Sequence, residues 1–421
     1  VDMNPILLKP EHGGQSQVVV LGRATSRVSG RAYFETREQL WPVVCQSLDR
    51  LRSMHDLVII EGAGSPVEVN LRQWDIVNMR VARYADAPVL VVADIDRGGA
   101  LAALVGTMEL LEPAERALVR GLLINRFRGD LSLFQPALTF LLERTGVPVL
   151  GVVPHLDQLR LPSEDSASLE TYQATSGTVD VAAIRLPQIS NFDDLDPLLE
   201  IGARVRWIKD SLDLGKPSMV VIPGSKSTRA DLEFLWSSGL AAAIRAAATR
   251  GALVLGICGG YQMLGSELID PGGIEGAPGE TPGLGLLQSR TTFLPEKVTR
   301  QVHGRIVASA GPLSGIHGSA VDGYEIHDGV TSDTNSPLLR LEDGDGGRLD
   351  GAHSHSGRVM GTYLHGLLHN ATVLEALSLA LCVPINRIAH VDIVDQELDR
   401  LADVLQDHSE IRLIDALVGL T

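Results

Sequence analysis

The chain has 421 residues, 44% of them hydrophobic and 4% aromatic, with 36 basic against 52 acidic side chains and a net charge of −16. At roughly 150 residues per domain this length predicts two or three domains, and the acidic balance excludes nucleic acid as main partner, since counterion release needs many Lys and Arg along one face. No window approaches the roughly 18 continuous apolar residues of a membrane span, and Cys45, Cys258 and Cys382 lie too far apart for a disulfide framework or a CxxC metal site, which points to a reducing, cytoplasmic setting.

The start, Val1-Asp2-Met3-Asn4-Pro5, has neither a basic region nor an apolar core and is not read as a signal peptide. Four short apolar runs follow, Leu57–Ile60, Pro88–Val92, Gly121–Ile124 and Pro148–Val153, separated by stretches long enough for crossover helices. This is the pattern of buried parallel strands, so residues 1–156 read as an α/β domain. Three of the strands end in turns that carry polar groups: Glu61-Gly62-Ala63-Gly64-Ser65-Pro66, Asp94-Ile95-Asp96-Arg97-Gly98-Gly99 and Asn125-Arg126-Phe127-Arg128-Gly129-Asp130. Each alone is commonplace. Together they point to one edge of a sheet, where an α/β domain holds phosphates and Mg²⁺.

Residues 157–178 turn polar and read as a linker. A second α/β domain is expected over 179–372, with strands at Val179–Arg185, Ser218–Ile222, Ala252–Ile257 and Arg358–Tyr363, interrupted by Gly- and Pro-rich loops at Asp270–Gly285 and Asp343–Gly357. Residues 373–421 are apolar at helical spacing and read as a helical tail.

The sharpest signal is Gly256-Ile257-Cys258-Gly259-Gly260-Tyr261-Gln262, a buried strand running through G-x-C-G-G into a helical pattern. This is the arrangement of a nucleophile elbow with Cys in place of Ser. A helix N-terminus favours the thiolate, and the Gly259 amide can face an oxyanion. Cys45 and Cys382 have no such setting and read as inert. A Cys nucleophile needs a base, and His365 in Gly361-Thr362-Tyr363-Leu364-His365-Gly366 ends a strand from which a loop can reach the elbow. Val221-Ile222-Pro223-Gly224-Ser225 ends another strand, whose amides at Gly224 and Ser225 can complete the oxyanion hole. Gly224-Ser225-Lys226-Ser227 is not a phosphate loop, because G-x-x-x-x-G-K-[ST] needs glycine at Val220 and Ser225. His353, His355, His365 and His369 lie close together, but the first two sit in a Gly- and Ser-rich loop without acidic or Cys partners at ligand spacing, which reads as a solvated loop and not a metal site, and Asp343-Gly344-Asp345-Gly346 lacks the carboxylates of a calcium loop.

The elbow, the Pro-Gly strand end and the Gly-Thr-Tyr-Leu-His-Gly segment resemble the glutaminase domain of class I glutamine amidotransferases, of the cobyric acid synthase and cobyrinic acid a,c-diamide synthase type. The resemblance implies a flavodoxin-like sheet in which Cys258 attacks the glutamine amide, His365 moves the proton and Gln262 helps hold glutamine. Many class I enzymes carry Glu two residues after the His. Leu367 stands there, which implies a Cys-His dyad. Gly323-Tyr324-Glu325-Ile326-His327 matches the same branch, with Glu325 one candidate to orient His365.

Leu7-Leu8-Lys9-Pro10, the Glu61 segment, Asp94–Gly99 and Asn125-Arg126 resemble the P-loop-type, dethiobiotin-synthetase-like synthetase domain of the cobyric acid synthase family. That implies ATP and Mg²⁺ as cofactors, Glu61 as a Mg²⁺ ligand, Asn125 and Arg126 at the nucleotide, and adenosylcobyrinic acid a,c-diamide as substrate, amidated at its b, d, e and g carboxylates. Arg97, Arg126 and Arg128 are expected to form a local positive patch for those carboxylates. The family's Gly-Lys-Ser/Thr loop has no counterpart around Lys9, Lys209, Lys216, Lys226 or Lys297, and the resemblance places it upstream of Val1. The a,c-diamide synthase, another ligase with the same glutaminase, or a non-catalytic relative remain open as alternatives.

Overall fold

The computed structural model describes residues 1–10, 15–156, 159, 179–332, 335–342, 347–383 and 390–420. Most of the expected linker and the rejected calcium loop lie outside them. The chain divides into two compact units, Val1–Leu159 with Gln396–Thr421, and Arg160–Asp395.

The first unit opens with an antiparallel meander of β1 (Ile6–Pro10), β2 (Gln15–Val20) and β3 (Arg23–Ser29), then α1 (Gly30–Met54) and α2 (Met79–Ala85). A parallel sheet follows, β4 (Val89–Asp94), β5 (Val119–Phe127) and β6 (Val149–Pro154), in that spatial order. Its crossovers carry α3 (Ala100–Leu110), the short α4 (Pro113–Arg116) and α5 (Leu131–Thr145). Leu104, Met108, Leu122, Ile124, Leu141 and Val152 form the core between sheet and helices.

Three of the four expected strands are present. The fourth, Leu57–Ile60, is irregular, and Ile59 is 88% exposed. A β-branched run becomes a strand only when a neighbour pairs its backbone, and no described strand does so here.

The second unit is built on a six-stranded sheet. Its strands in chain order are β7 (Val179–Ile184), with the two-residue β8 (Ile189–Ser190) and α6 (Asp196–Glu200) after it, then β9 (Ala203–Ile208) and β10 (Met219–Ile222). Next come β11 (Gly224–Ser225), which pairs with β8, α7 (Thr228–Ser237), α8 (Leu240–Thr249), β12 (Leu253–Ile257) and α9 (Gly259–Leu264). A second sheet contains β13 (Glu267–Asp270), β14 (Gly279–Pro282), the long β15 (Arg290–Ile306) and β16 (Ala320–Ser332), β17 (Leu339–Leu341) and β18 (Arg348–Asp350). The chain returns to the first sheet through β19 (Ala352–His353) and β20 (Val359–Thr362), giving the order β19-β20-β12-β10-β7-β9.

All pairings in that sheet are parallel except β19 with β20. Both faces of its inner strands are covered, which is why β10, β12 and β20 read as continuous apolar runs, whereas the edge strand β9, with Arg204 and Arg206, was not expected. Met219, Val221, Leu253, Leu255 and Ile257 point into one core layer, and Val220, Ile222 and Val254 into the other. The second sheet was not foreseen: its strands are short or half exposed, and β14 lies inside a segment that reads as a Gly- and Pro-rich loop.

The expected tail is helical, with α10 (Ala371–Ala380), α11 (His390–His408) and α12 (Ile411–Leu417). It does not act as one piece. Val373, Ala376 and Leu377 of α10 belong to the core of the second unit, whereas Glu410 at the head of α12 donates to the Leu150 carbonyl of β6. No described helix is long and apolar enough to cross a membrane.

Candidate active site

The carboxyl ends of β10, β12 and β20 lie side by side, because Ile222 pairs with Gly256 and Ile257 with Thr362. That edge is where open parallel sheets bind ligands. Cys258 occupies the turn from β12 into α9 at φ 53°, ψ −111°. A non-glycine residue in such a conformation costs roughly 1–3 kcal/mol, which the surrounding packing offsets. The elbow exists because its neighbours are small. A Cβ on Gly260 would overlap the Ile222 carbonyl oxygen, and one on Gly256 would come within 2.7 Å of the Gly260 carbonyl.

His365 is fully buried, its Nδ1 2.7 Å from Asp194 Oδ2, while Asp194 Oδ1 accepts from the Gly366 amide at 2.7 Å. The carboxylate acceptor fixes the proton on Nδ1 and turns Nε2 inward, where it has no protein partner apart from the thiol. Burial alone pulls the His365 pKa down. The hydrogen bond to Asp194 and the interaction with Cys258 outweigh it and raise the value to about 10. The expected Cys-His pair thus acquires a third member, 171 residues before the histidine. Because α9 has only six residues, few aligned dipoles act on Cys258, and the charge at its side is the His365 imidazolium.

The Gly-Tyr-Glu-Ile-His segment of β16 acts on His365 through its backbone. Tyr324 and His365 exchange N–H···O bonds of 3.2 and 2.9 Å, and their rings stack at 5.0 Å. Asn191 donates to the Tyr324 hydroxyl at 2.6 Å. The Ile326 carbonyl accepts from Cys258 Sγ at 3.3 Å. Glu325 does not orient His365: it is fully buried and accepts from Arg300 Nε at 2.9 Å and from Arg348. The other oxygen of Glu325 lies 3.9 Å from His327 Nε2. Desolvation first of all lowers the His327 pKa to about 4, so its ring, stacked on Tyr363 at 3.7 Å, is neutral.

Ser225 and Gly259 face each other, the Ser225 nitrogen 3.0 Å from where a Cβ on Gly259 would lie. Gly224 makes room for His365, whose Cε1 would be 3.3 Å from a Cβ there. The Ser225 hydroxyl donates to Asp231 at 2.6 Å and accepts from the Ser227 amide at 3.0 Å, which leaves main-chain amides to serve an oxyanion. Gln262 is 2% exposed; its Oε1 accepts from Thr228 Oγ1 at 3.0 Å, and its Nε2 donates to the Asp328 carbonyl at 2.9 Å and the Tyr363 hydroxyl at 3.0 Å. Its amide braces the wall of the site.

In the first unit Asp94 and Asn125 pair across β4 and β5, so two of the three predicted strand ends share an edge. The arginines expected there as a positive patch are each beside an acid. Arg126, at φ 60°, donates to Asp94 at 3.2 Å, Arg128 to Asp96 at 3.2 Å, and Arg97 lies 3.8 Å from Asp94. Asn125 Oδ1 accepts from the Arg126 amide. Glu61 is exposed, on the irregular segment before a loop held by Asn78, which bonds both the amide and the carbonyl of Ala63. That loop, Ala63–Pro66, borders a cleft of about 750 Å³ together with Arg37, Arg72, Arg80 and Arg83. No group of three or more His, Cys, Asp or Glu able to hold a metal occurs among the described residues. Mg²⁺ keeps several waters and binds through one or two carboxylates plus phosphate oxygens, so an exposed carboxylate such as Glu61 on the irregular segment fits that ion without such a cage.

Residues 180–373 match the family model of the CobB/CobQ-like glutamine amidotransferase domain, and residues 36–163 that of an AAA domain. The chain is 49% identical over 441 residues to the cobyric acid synthase of Pelotomaculum thermopropionicum, covering all of this chain and 84% of that one. It is 47% identical over 445 residues to that of Sorangium cellulosum and 45% over 429 residues to that of Dehalococcoides mccartyi strain CBDB1, covering all of this chain and 86% and 85% of theirs. Among solved structures, PurLQS from Thermotoga maritima is 19% identical with a TM-score of 0.38, covering 47% of this chain and 97% of its own.

Proposed function

Since the chain belongs to the cobyric acid synthase family, we propose that it amidates the b, d, e and g carboxylates of adenosylcobyrinic acid a,c-diamide, using ATP, Mg²⁺ and glutamine. The observation that carries the glutaminase half is the Cys258, His365 and Asp194 arrangement at the end of the central sheet.

In this reading the Cys258 thiolate attacks the side-chain amide of glutamine, and the amides of Gly259 and Ser225 hold the developing oxyanion. His365, held by Asp194, gives its Nε2 proton to the leaving nitrogen. Ammonia departs and a γ-glutamyl thioester remains on Cys258. His365 then takes a proton from the attacking water, which releases glutamate and restores the pair.

In the first unit, Glu61 would hold Mg²⁺, and Asn125 and Arg126 would face the nucleotide. When bound, ATP with its metal supplies the phosphoryl group that activates a substrate carboxylate for attack by ammonia. Substrate carboxylates would meet Arg97 and Arg128 at the sheet edge. Full exposure of one guanidinium to substrate there requires exchanging its present carboxylate partner, which costs little at such exposed pairs. A cytoplasmic location accords with this chemistry.

The test is ammonia release from glutamine by the full chain. The parent is expected to be active and Cys258→Ala inactive; equal rates for the two would overturn the reading.

A further inference from the structure

A carboxylate beside the elbow has no assigned task. Glu275 sits in the turn between β13 and β14, partly buried, and its Oε2 accepts from the Arg229 amide in the first turn of α7 at 3.1 Å. The preceding residue, Thr228, donates through Oγ1 to Gln262 and lies 3.1 Å from where a Cβ on Gly259 would be. Gln262 in turn donates to the Asp328 carbonyl at 2.9 Å. Glu275 therefore caps the start of α7, whose Thr228 packs against Gly259 and Gln262 in the first turn of α9, where the oxyanion amide of Gly259 lies.

Charge is unbalanced at this spot. The guanidinium of Arg229 turns away to Asp270, Thr281 and the Ala277 carbonyl, and the Lys297 ammonium sits 3.3 Å from Asp328. No cation partners Glu275 among the described residues. Burial raises its pKa to about 7, opposed by the Arg229 amide, with the negative charges of Asp328 and Asp270 adding to the rise. A partly desolvated carboxylate among like charges is a cost to the fold unless a cation arrives. Glutamine brings one. With its side-chain carbonyl at the Gly259 and Ser225 amides, its α-carbon lies about 4 Å along the chain, and the ammonium one bond further.

We infer that Glu275 is the anionic partner of the α-ammonium group of the substrate glutamine, and so selects an α-amino acid over a plain carboxamide. The inference rests on the glutaminase reading above and assigns that site its specificity. Electrostatic pairing at one end of the substrate, remote from the reacting carbonyl, acts on binding more than on the chemical step.

The test compares glutamine with glutaramate, which carries hydrogen in place of the α-ammonium, as substrates for ammonia release by the full chain. In Glu275→Gln the carboxamide oxygen still accepts from the Arg229 amide, so the start of α7 keeps its cap. The ratio of kcat/KM for glutamine to that for glutaramate is expected to fall roughly tenfold, mostly through KM for glutamine. Glu275→Asp, which keeps the charge but withdraws it, gives a second reading of the same ratio if the first variant folds poorly. An unchanged ratio, with both substrates losing equally, would make Glu275 a structural cap and overturn the inference alone. A parent chain that releases no ammonia from glutamine would overturn the glutaminase reading and this inference with it.

Discussion

At the scale of single residues, the site turns on one carboxylate and its effect on one imidazole. Against the desolvation that lowers it, Asp194 together with the neighbouring Cys258 raises the His365 pKa to about 10, which favours the imidazolium needed to protonate the leaving nitrogen in the neutral range. The sign follows directly: a histidine whose pKa is raised in the folded state loses its proton, and the site its acid, only as pH climbs through that value. Asp194→Asn should lower kcat by roughly 10²–10⁴-fold and move the alkaline limb of the kcat/KM profile downward by at least a unit. A pH–rate series on parent and variant checks this, and an alkaline limb that stays in place would remove Asp194 from the mechanism. Cys258 was legible in the sequence because the glycines that permit its backbone stand next to it in the chain. Asp194 was not. It lies in Asn191-Phe192-Asp193-Asp194, after a strand end, and no spacing rule links an aspartate to a histidine that only sheet topology brings to 2.7 Å. The one available hint was an acidic turn at the carboxyl end of a buried strand in the glutaminase half.

At the scale of elements, β16 and the β12–α9 turn divide the work between them. The turn presents the thiol, and β16 pins the backbone of His365 while its buried face carries Glu325 among arginines. Glu325→Gln should therefore lower stability, by about 1–3 kcal/mol in urea unfolding, with the alkaline limb of the activity profile unmoved. A shifted limb at unchanged stability would instead return Glu325 to the role of orienting His365. Gly260→Ala should be worse for the fold than either, because its methyl group would meet the Ile222 carbonyl rather than a side chain that can rotate. Loss of the cooperative thermal transition is the expected outcome, and a well-folded variant would contradict the packing described for the elbow. The strands β7, β10, β12 and β20 of the second unit could be read from their apolar runs, since burial on two faces leaves a continuous signature; β4 was read from the same pattern although it is only partly covered, and the edge strand β9, which carries Arg204 and Arg206, was not read. Leu57–Ile60 carried the same signature without becoming a strand, because pairing is a property of the neighbour and not of the segment. The second sheet escaped for the opposite reason: strands exposed on one side, such as β14, look like the loops around them.

At the scale of the whole molecule, an acidic chain is proposed to handle a polycarboxylate. A net charge of −16 opposes such a substrate at long range, but the Debye length of about 8 Å at physiological ionic strength confines the opposition to the immediate surroundings of the site. If ammonia made by one unit is consumed by the other, Cys258→Ala should still amidate the corrinoid when an ammonium salt replaces glutamine. Loss of that ammonia-dependent activity would tie Cys258 to more than glutamine hydrolysis. The most direct test of the account follows the nitrogen itself. The full chain is incubated with ATP, Mg²⁺, adenosylcobyrinic acid a,c-diamide and glutamine labelled with ¹⁵N in its side-chain amide, and the corrinoid is read by mass spectrometry. Label at each of the b, d, e and g amides, absent without ATP, is the predicted result; labelled ammonia in solution beside an unlabelled corrinoid would contradict it.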